Sequence, residues 1–175
     1  MVNARPSTAA PHGTKPVLAL AMGDPAGVSF ELTARLLADP ECRQAATYIV
    51  IGDARALAEG ARIAGVTLDL PVWRPGSNSE IDLSKGAVLV DLGHLDPASV
   101  TTGESSKAGG AFGLRNFRRA LQLARAGGAD AVTFTRYQPS ANVSVFHSHC
   151  VAVSGAVPVC SLRQLLSFSR CTASV

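Results

Sequence analysis

Short apolar runs and amphipathic stretches alternate along the first three quarters of the chain. Residues 17–22 (VLALAM) contain no polar position, the mark of a strand buried on both faces. The turn GDPAG follows, and then SFELTARLLAD, in which Leu32 and Leu36 stand four apart and share one helical face. Ser29 is placed to cap that helix. Glu31 sits in its first turn, where the positive end of the helix dipole favours an acid. The pattern then repeats: residues 48–51 (YIVI) predict a strand, GDA a turn, and residues 55–64 a helix closed by Gly65.

A polar connection, RPGSNSE, leads to a third apolar run at residues 87–91 (AVLVD). After a loop rich in threonine, serine and glycine, residues 109–126 carry the clearest helical period. Leu114, Phe117, Leu121 and Ala124 fall on one side, and Arg115, Arg119 and Gln122 on the other. Gly127 and Gly128 end this helix, and AVTFT at 131–135 begins a further strand. Strand and helix in alternation predict an α/β layered domain with a largely parallel sheet. No internal repeat is present.

From Arg136 the pattern changes. Every acid and every lysine of the chain lies before that residue, and the tail keeps only Arg136, Arg163 and Arg170 as charged side chains. VSVFHSHCVAVSGAVPVC alternates enough for two short strands, and LRQLLSF for one or two helical turns. The expected organisation is a disordered lead-in at 1–15, an α/β region at 16–135 and a tail of different character at 136–175.

Composition narrows the classes. A chain of 175 residues that is 47% hydrophobic suits one domain with a real core, or half of a two-domain enzyme. The net charge of +3 is gathered on no face or run, so nucleic acid is not expected. No apolar run approaches the roughly 18–20 residues that span a bilayer. MVNARPSTAAPHGT lacks the apolar stretch of a secretory signal, so a soluble, cytoplasmic protein is expected. Cys42, Cys150, Cys160 and Cys171 fit no common disulfide or metal spacing and read as free thiols.

Several turns could carry chemistry. GDPAGVS lies between a buried strand and a helix, where backbone N–H groups and the helix dipole favour an anion. It holds neither G-x-G-x-x-G nor a Gly-Lys-Ser/Thr, and a plain strand-to-helix turn with a capped helix explains it too. Asp53 and Asp91 end strands at the edge where open α/β folds place ligands; for Asp53 a helix cap is favoured. TTGESSKAGG could cradle a phosphate at the start of the long helix, or simply cap it. The candidate substrate- or anion-binding residues are therefore Gly23, Asp24, Gly27, Ser105, Ser106 and Thr135. HSHC puts His147 and His149 two apart beside Cys150, but a metal needs three or four ligands and no second cluster exists. No residue stands out as catalytic.

AMGDPAGVSFEL, YIVIGDARAL and VTTGESSKAGGAFGLRNFRRALQLARAGGADAVTFT together resemble the N-terminal part of the PdxA family, over about residues 17–135. Those are the 4-hydroxythreonine-4-phosphate dehydrogenases and related phospho-threonate and phospho-erythronate dehydrogenases. The resemblance implies an isocitrate-dehydrogenase-like α/β fold, a homodimer, NAD or NADP as oxidant and a divalent metal such as zinc, magnesium or cobalt. It implies a phosphorylated hydroxy acid as substrate, in pyridoxal phosphate biosynthesis or related acid catabolism. The alcohol carbon would give hydride to the nicotinamide while the metal polarises the oxygen, and the resulting β-keto acid can lose carbon dioxide.

The departures are specific. Phe30 stands where the family has a proline in the first helical turn. After Thr135 the family continues with proline and, three residues on, lysine, and later with Gly-His-Thr; this chain has Arg136, Tyr137, Gln138 and Pro139. The family's metal-binding histidines and its substrate-binding lysine, asparagine and arginine have no counterpart here, and His147 and His149 lie in no matching context. The tail is therefore expected to be out of frame or foreign, and the chain alone to be inactive. The alternatives are a non-catalytic anion-binding or dimerisation fragment, or an unstable product of a damaged gene.

Overall fold

In the computed structural model, which describes residues 15–104, 106–136 and 147–152, the first apolar run becomes β1 (Val17–Ala21), buried at every position. α1 (Ser29–Ala38) follows, and then a short second helix, α2 (Pro40–Ala45), capped by the Asp39 carboxylate. β2 (Thr47–Gly52), α3 (Ala54–Ala64), β3 (Val72–Trp73), β4 (Ala87–Asp91), α4 (Lys107–Arg125), β5 (Ala131–Arg136) and β6 (His147–Ala152) complete the order. The strands form one sheet, β3-β4-β2-β1-β5-β6, parallel throughout except that β6 runs antiparallel to β5. The expected layered, largely parallel α/β architecture is what forms. The lead-in up to residue 14 and the tail at 137–146 and 153–175 lie outside the described residues.

The apolar runs lack polar alternation because both sheet faces are covered. Leu18, Leu20, Tyr48, Val50 and Leu89 face α1 and α3, while Ala19, Ile49, Ile51, Val88 and Val132 face α4. Each of the leucines, isoleucines and valines among them contributes roughly 1.5–3 kcal/mol on burial, so a polar residue at any of these positions would be expensive. α3 comes close to α1 because Gly60 has no side chain: a Cβ there would lie 2.3 Å from the Phe30 carbonyl oxygen. Gly65 closes α3 in the left-handed region at φ 68°, as a C-terminal glycine does.

Two sequence expectations shift. The inward face of α1 is Phe30, Thr33, Ala34 and Leu37, while Leu32 and Leu36 flank it half-buried. In α4 the buried positions are Gly109, Phe112, Asn116, Ala120, Leu123 and Ala124, and Leu114 is 48% exposed. Both errors have one cause: beside the buried Leu37 and Leu123, small and polar residues such as Thr33, Ala34, Asn116 and Ala120 fit a helix close against a sheet, so leucine alone does not mark the inward face. The structure also adds α2 and the two-residue β3, which were not anticipated.

Candidate functional site

The turn after β1 meets the end of β5 and the start of α4 at the carboxyl edge of the sheet. The Gly23 amide donates to Ser29 Oγ at 2.7 Å, and that hydroxyl lies 2.5 Å from Thr135 Oγ1. Gly23 itself packs on the β5 backbone. Asn116, fully buried on α4, sends its Nδ2 to the Met22 carbonyl at 2.9 Å. The Gly103 amide donates to the Ala26 carbonyl at 2.8 Å, which seats the loop before α4 on the same turn. Ser106 caps α4 by accepting from the Gly109 amide at 3.0 Å.

Five of the six candidate residues thus stand in one neighbourhood: Gly23, Asp24 and Gly27 in the turn, Ser106 at the start of α4, and Thr135 at the end of β5. Ser105 lies outside the described residues. Ser29 was expected to cap α1, and it does not. Val28 occupies that position without a side-chain bond, and Ser29 begins the helix with its hydroxyl turned to Gly23 and Thr135. Nothing local in the sequence signals the link to Thr135, which lies more than a hundred residues away.

The turn's donors are largely spent within the turn. Asp24 Oδ1 accepts from the Ala26 amide at 2.9 Å and the Asp24 carbonyl from the Gly27 amide at 3.3 Å. Asp24 also lies against the first turn of α4, where a Cβ on Gly109 would come within 2.6 Å of its Oδ1. The positive end of that helix therefore already faces a carboxylate of this chain. A phosphate placed there would have to displace Asp24 or meet its negative charge.

The other strand-end acids are structural. Asp53, with no exposed surface, caps α3 through the Arg55 amide, takes the Leu95 amide, and is held by the Arg55 guanidinium at 2.9 Å. Burial pushes its carboxyl up, but those hydrogen bonds prevail and hold it below the usual carboxylate range. Asp91 accepts from the Ala54 and Gly93 amides and pairs with Arg74 at 3.1 Å. Cys42 is a free, buried thiol pushed up to about 11, first by burial and then by Asp39 and Glu41, so it is inert at neutral pH. A shallow cavity of about 290 Å³ opens beside the turn, with Pro25, Phe30, Ala56, Leu95 and Val100 among its walls.

Among the described residues no group of three or more His, Cys, Asp or Glu side chains could hold a metal. His147 and His149 fall in β6, register-paired with Arg136 and Phe134. No helix of the described residues is long and apolar enough to cross a membrane.

This arrangement, a largely parallel sheet covered by helices with its strand-to-helix turns gathered at one edge, defines a layered α/β protein. No protein-family model matches the chain. A protein of Rhizobium meliloti (strain 1021), named a candidate 4-hydroxythreonine-4-phosphate dehydrogenase, is 57% identical over 140 residues, covering 77% of this chain and 39% of that protein. A candidate D-threonate 4-phosphate dehydrogenase of Symbiobacterium thermophilum is 35% identical over 122 residues, covering 69% and 36%. The crystal structure of a 4-hydroxythreonine-4-phosphate dehydrogenase from Burkholderia phymatum superposes with a TM-score of 0.59 at 30% identity, covering 70% of this chain and 36% of that one. The chain is homologous to the 4-hydroxythreonine-4-phosphate dehydrogenases of the PdxA family and corresponds to a segment of them. It spans less than two fifths of the length of these relatives.

Proposed function

We propose that this chain represents part of a PdxA-type dehydrogenase, oxidising a phosphorylated hydroxy acid of the 4-phosphohydroxythreonine or threonate type with NAD or NADP. The reading rests above all on the 57% identity over 140 residues to a protein bearing that name. The reaction converts a secondary alcohol to a ketone, the carbon-bound hydrogen leaving as hydride to the nicotinamide and the hydroxyl hydrogen as a proton. In this reading the enzyme works in the cytoplasm as a homodimer with a divalent metal.

The described residues do not fit the metal, for want of a ligand cluster. Nor do they fit the pyrophosphate of a dinucleotide, because the Gly23, Ala26 and Gly27 amides are engaged and Asp24 faces the start of α4. What they supply is a scaffold. Ser29, Thr135 and Asn116 hold the turn against β5 and α4, and Gly23, Asp24, Gly27, Ser105, Ser106 and Thr135 are the proposed substrate-side residues.

The 175-residue polypeptide assayed alone is accordingly expected to reduce no NAD or NADP. Absorbance of the reduced nicotinamide is followed with 4-phosphohydroxythreonine or threonate 4-phosphate and added zinc or magnesium. A sustained, enzyme-dependent rate would overturn the expectation. The tail from residue 136 is further proposed to derive from a shifted reading frame, motivated by the loss of every acid and lysine there. Translating the coding DNA in the other two frames past codon 135 is expected to restore Pro-x-x-Lys and Gly-His-Thr; their absence from both frames refutes the frameshift.

A further inference from the structure

Three aromatic rings from three separate segments meet at the carboxyl edge. Phe30 of α1 meets Phe112 of α4 edge to face, with centroids 5.9 Å apart and planes at 73°. His94, in the loop after β4, stacks on the same Phe112 ring at 4.8 Å and 20°. Both ring nitrogens of His94 are shut off from solvent and have no hydrogen-bond partner of good geometry; the nearby Phe112 backbone favours a proton on the ring but ranks behind burial and Arg115, which oppose it. A neutral imidazole leaves one N–H and one lone pair unmet in such a place. An imidazolium adds a second N–H donor and a full charge to the same enclosed place, which is far costlier.

The charged groups that face the ring offer no relief. Arg115, on α4, opposes a second positive charge, while Asp53 and Asp91, at the ends of β2 and β4, would favour one. Both carboxylates are already committed, Asp53 to Arg55 at 2.9 Å and Asp91 to Arg74 at 3.1 Å. We propose that His94, Phe112 and Phe30 form a proton-sensitive clasp, in which the neutral ring holds the start of α4 to the loop after β4 and protonation loosens it. Burial first, and Arg115 second, hold the imidazole below its ordinary value, as the clasp requires. The consequence reaches the candidate site, because the first turn of α4 is the wall against which Asp24 lies.

The sign follows from linkage. With the folded imidazole held below the unfolded value of about 6.5, the stabilisation is complete above that pH and fades as the pH falls through it. The folding constant is expected to drop by up to about tenfold per pH unit in that window.

The test is chemical denaturation of the full chain from mildly alkaline to mildly acidic pH, beside His94→Phe, which keeps a ring in the stack and has nothing to titrate. Every other ionisable group is common to both proteins, so its contribution cancels in the comparison. The proposal expects the midpoint of the unaltered chain to fall below about pH 6.5 more steeply than that of the variant. Parallel curves overturn it. Should the phenylalanine ring overpack the edge and prevent folding, the unaltered chain answers by NMR. His94 is expected to titrate below the ordinary range, with the first-turn amides of α4 losing hydrogen-exchange protection as it does. An ordinary titration, or protection that ignores it, overturns the clasp.

Discussion

Replacing Gly23 with alanine is expected to destabilise the fold by about 3 kcal/mol or more, a large share of the roughly 5–15 kcal/mol that holds a domain together. The added Cβ would stand 1.8 Å from the Thr135 carbonyl oxygen and 3.1 Å from its carbon. Both are backbone atoms of a strand paired with β1, so no side chain can swing aside to make room. The two chain segments would have to part, at about 1–3 kcal/mol for overpacking. That movement also breaks the Gly23 amide bond to Ser29 and the Ser29–Thr135 link, leaving buried polar groups unmet at about 1–3 kcal/mol more. Gly65→Ala is the control. Its backbone is left-handed at φ 68° and nothing lies within 4 Å of a new Cβ, so about 1–2 kcal/mol of backbone strain is all it should show. Denaturant midpoints of the two variants decide the matter; a Gly23→Ala loss no larger than that of the control would mean that this seam is not closely packed.

The same seam shows what the sequence could and could not reveal. β1, β2 and β4 were legible because a strand buried on both faces must be apolar throughout, and VLALA, YIVI and AVLVD satisfy that locally. The cap at Asp53 was legible for the same reason, since its first partner is the amide two residues on. The helix faces were read one residue off because leucine marks burial in general, whereas contact with a sheet rewards Ala34, Ala120 and even Asn116, whose amide has a carbonyl to meet. β3 escaped notice because it has two residues, one exposed and one partly buried, and so carries no period. Ser29 was misassigned because its hydroxyl serves a residue at the far end of the described region. The anion-binding reading of GDPAG turned on a matter outside local pattern altogether, namely that Asp24 rests against a helix begun more than eighty residues later.

Removing the Asp53 carboxylate is the second large effect expected. Asp53→Ala leaves the amides of Arg55 and Leu95 without acceptors and frees the Arg55 guanidinium, which is 58% exposed and can turn to water. The loss is therefore carried by the partly buried amides and the helix cap, not by the ion pair: about 0.5–2 kcal/mol for the cap and about 1 kcal/mol for the orphaned, partly buried donor. Asp53→Asn keeps an oxygen for the cap and gives up the charge, so it should fall between alanine and the unaltered chain. The pH dependence separates the two contributions. The folded carboxyl titrates below its unfolded value of about 3.9, so its stabilisation is complete above that pH and is lost as acid carries the protein through the folded value. Urea midpoints taken from neutral to acid pH should then converge for the unaltered chain and Asp53→Asn. Curves that stay equally far apart down to the most acidic point would show that the charge on Asp53 contributes nothing to the fold.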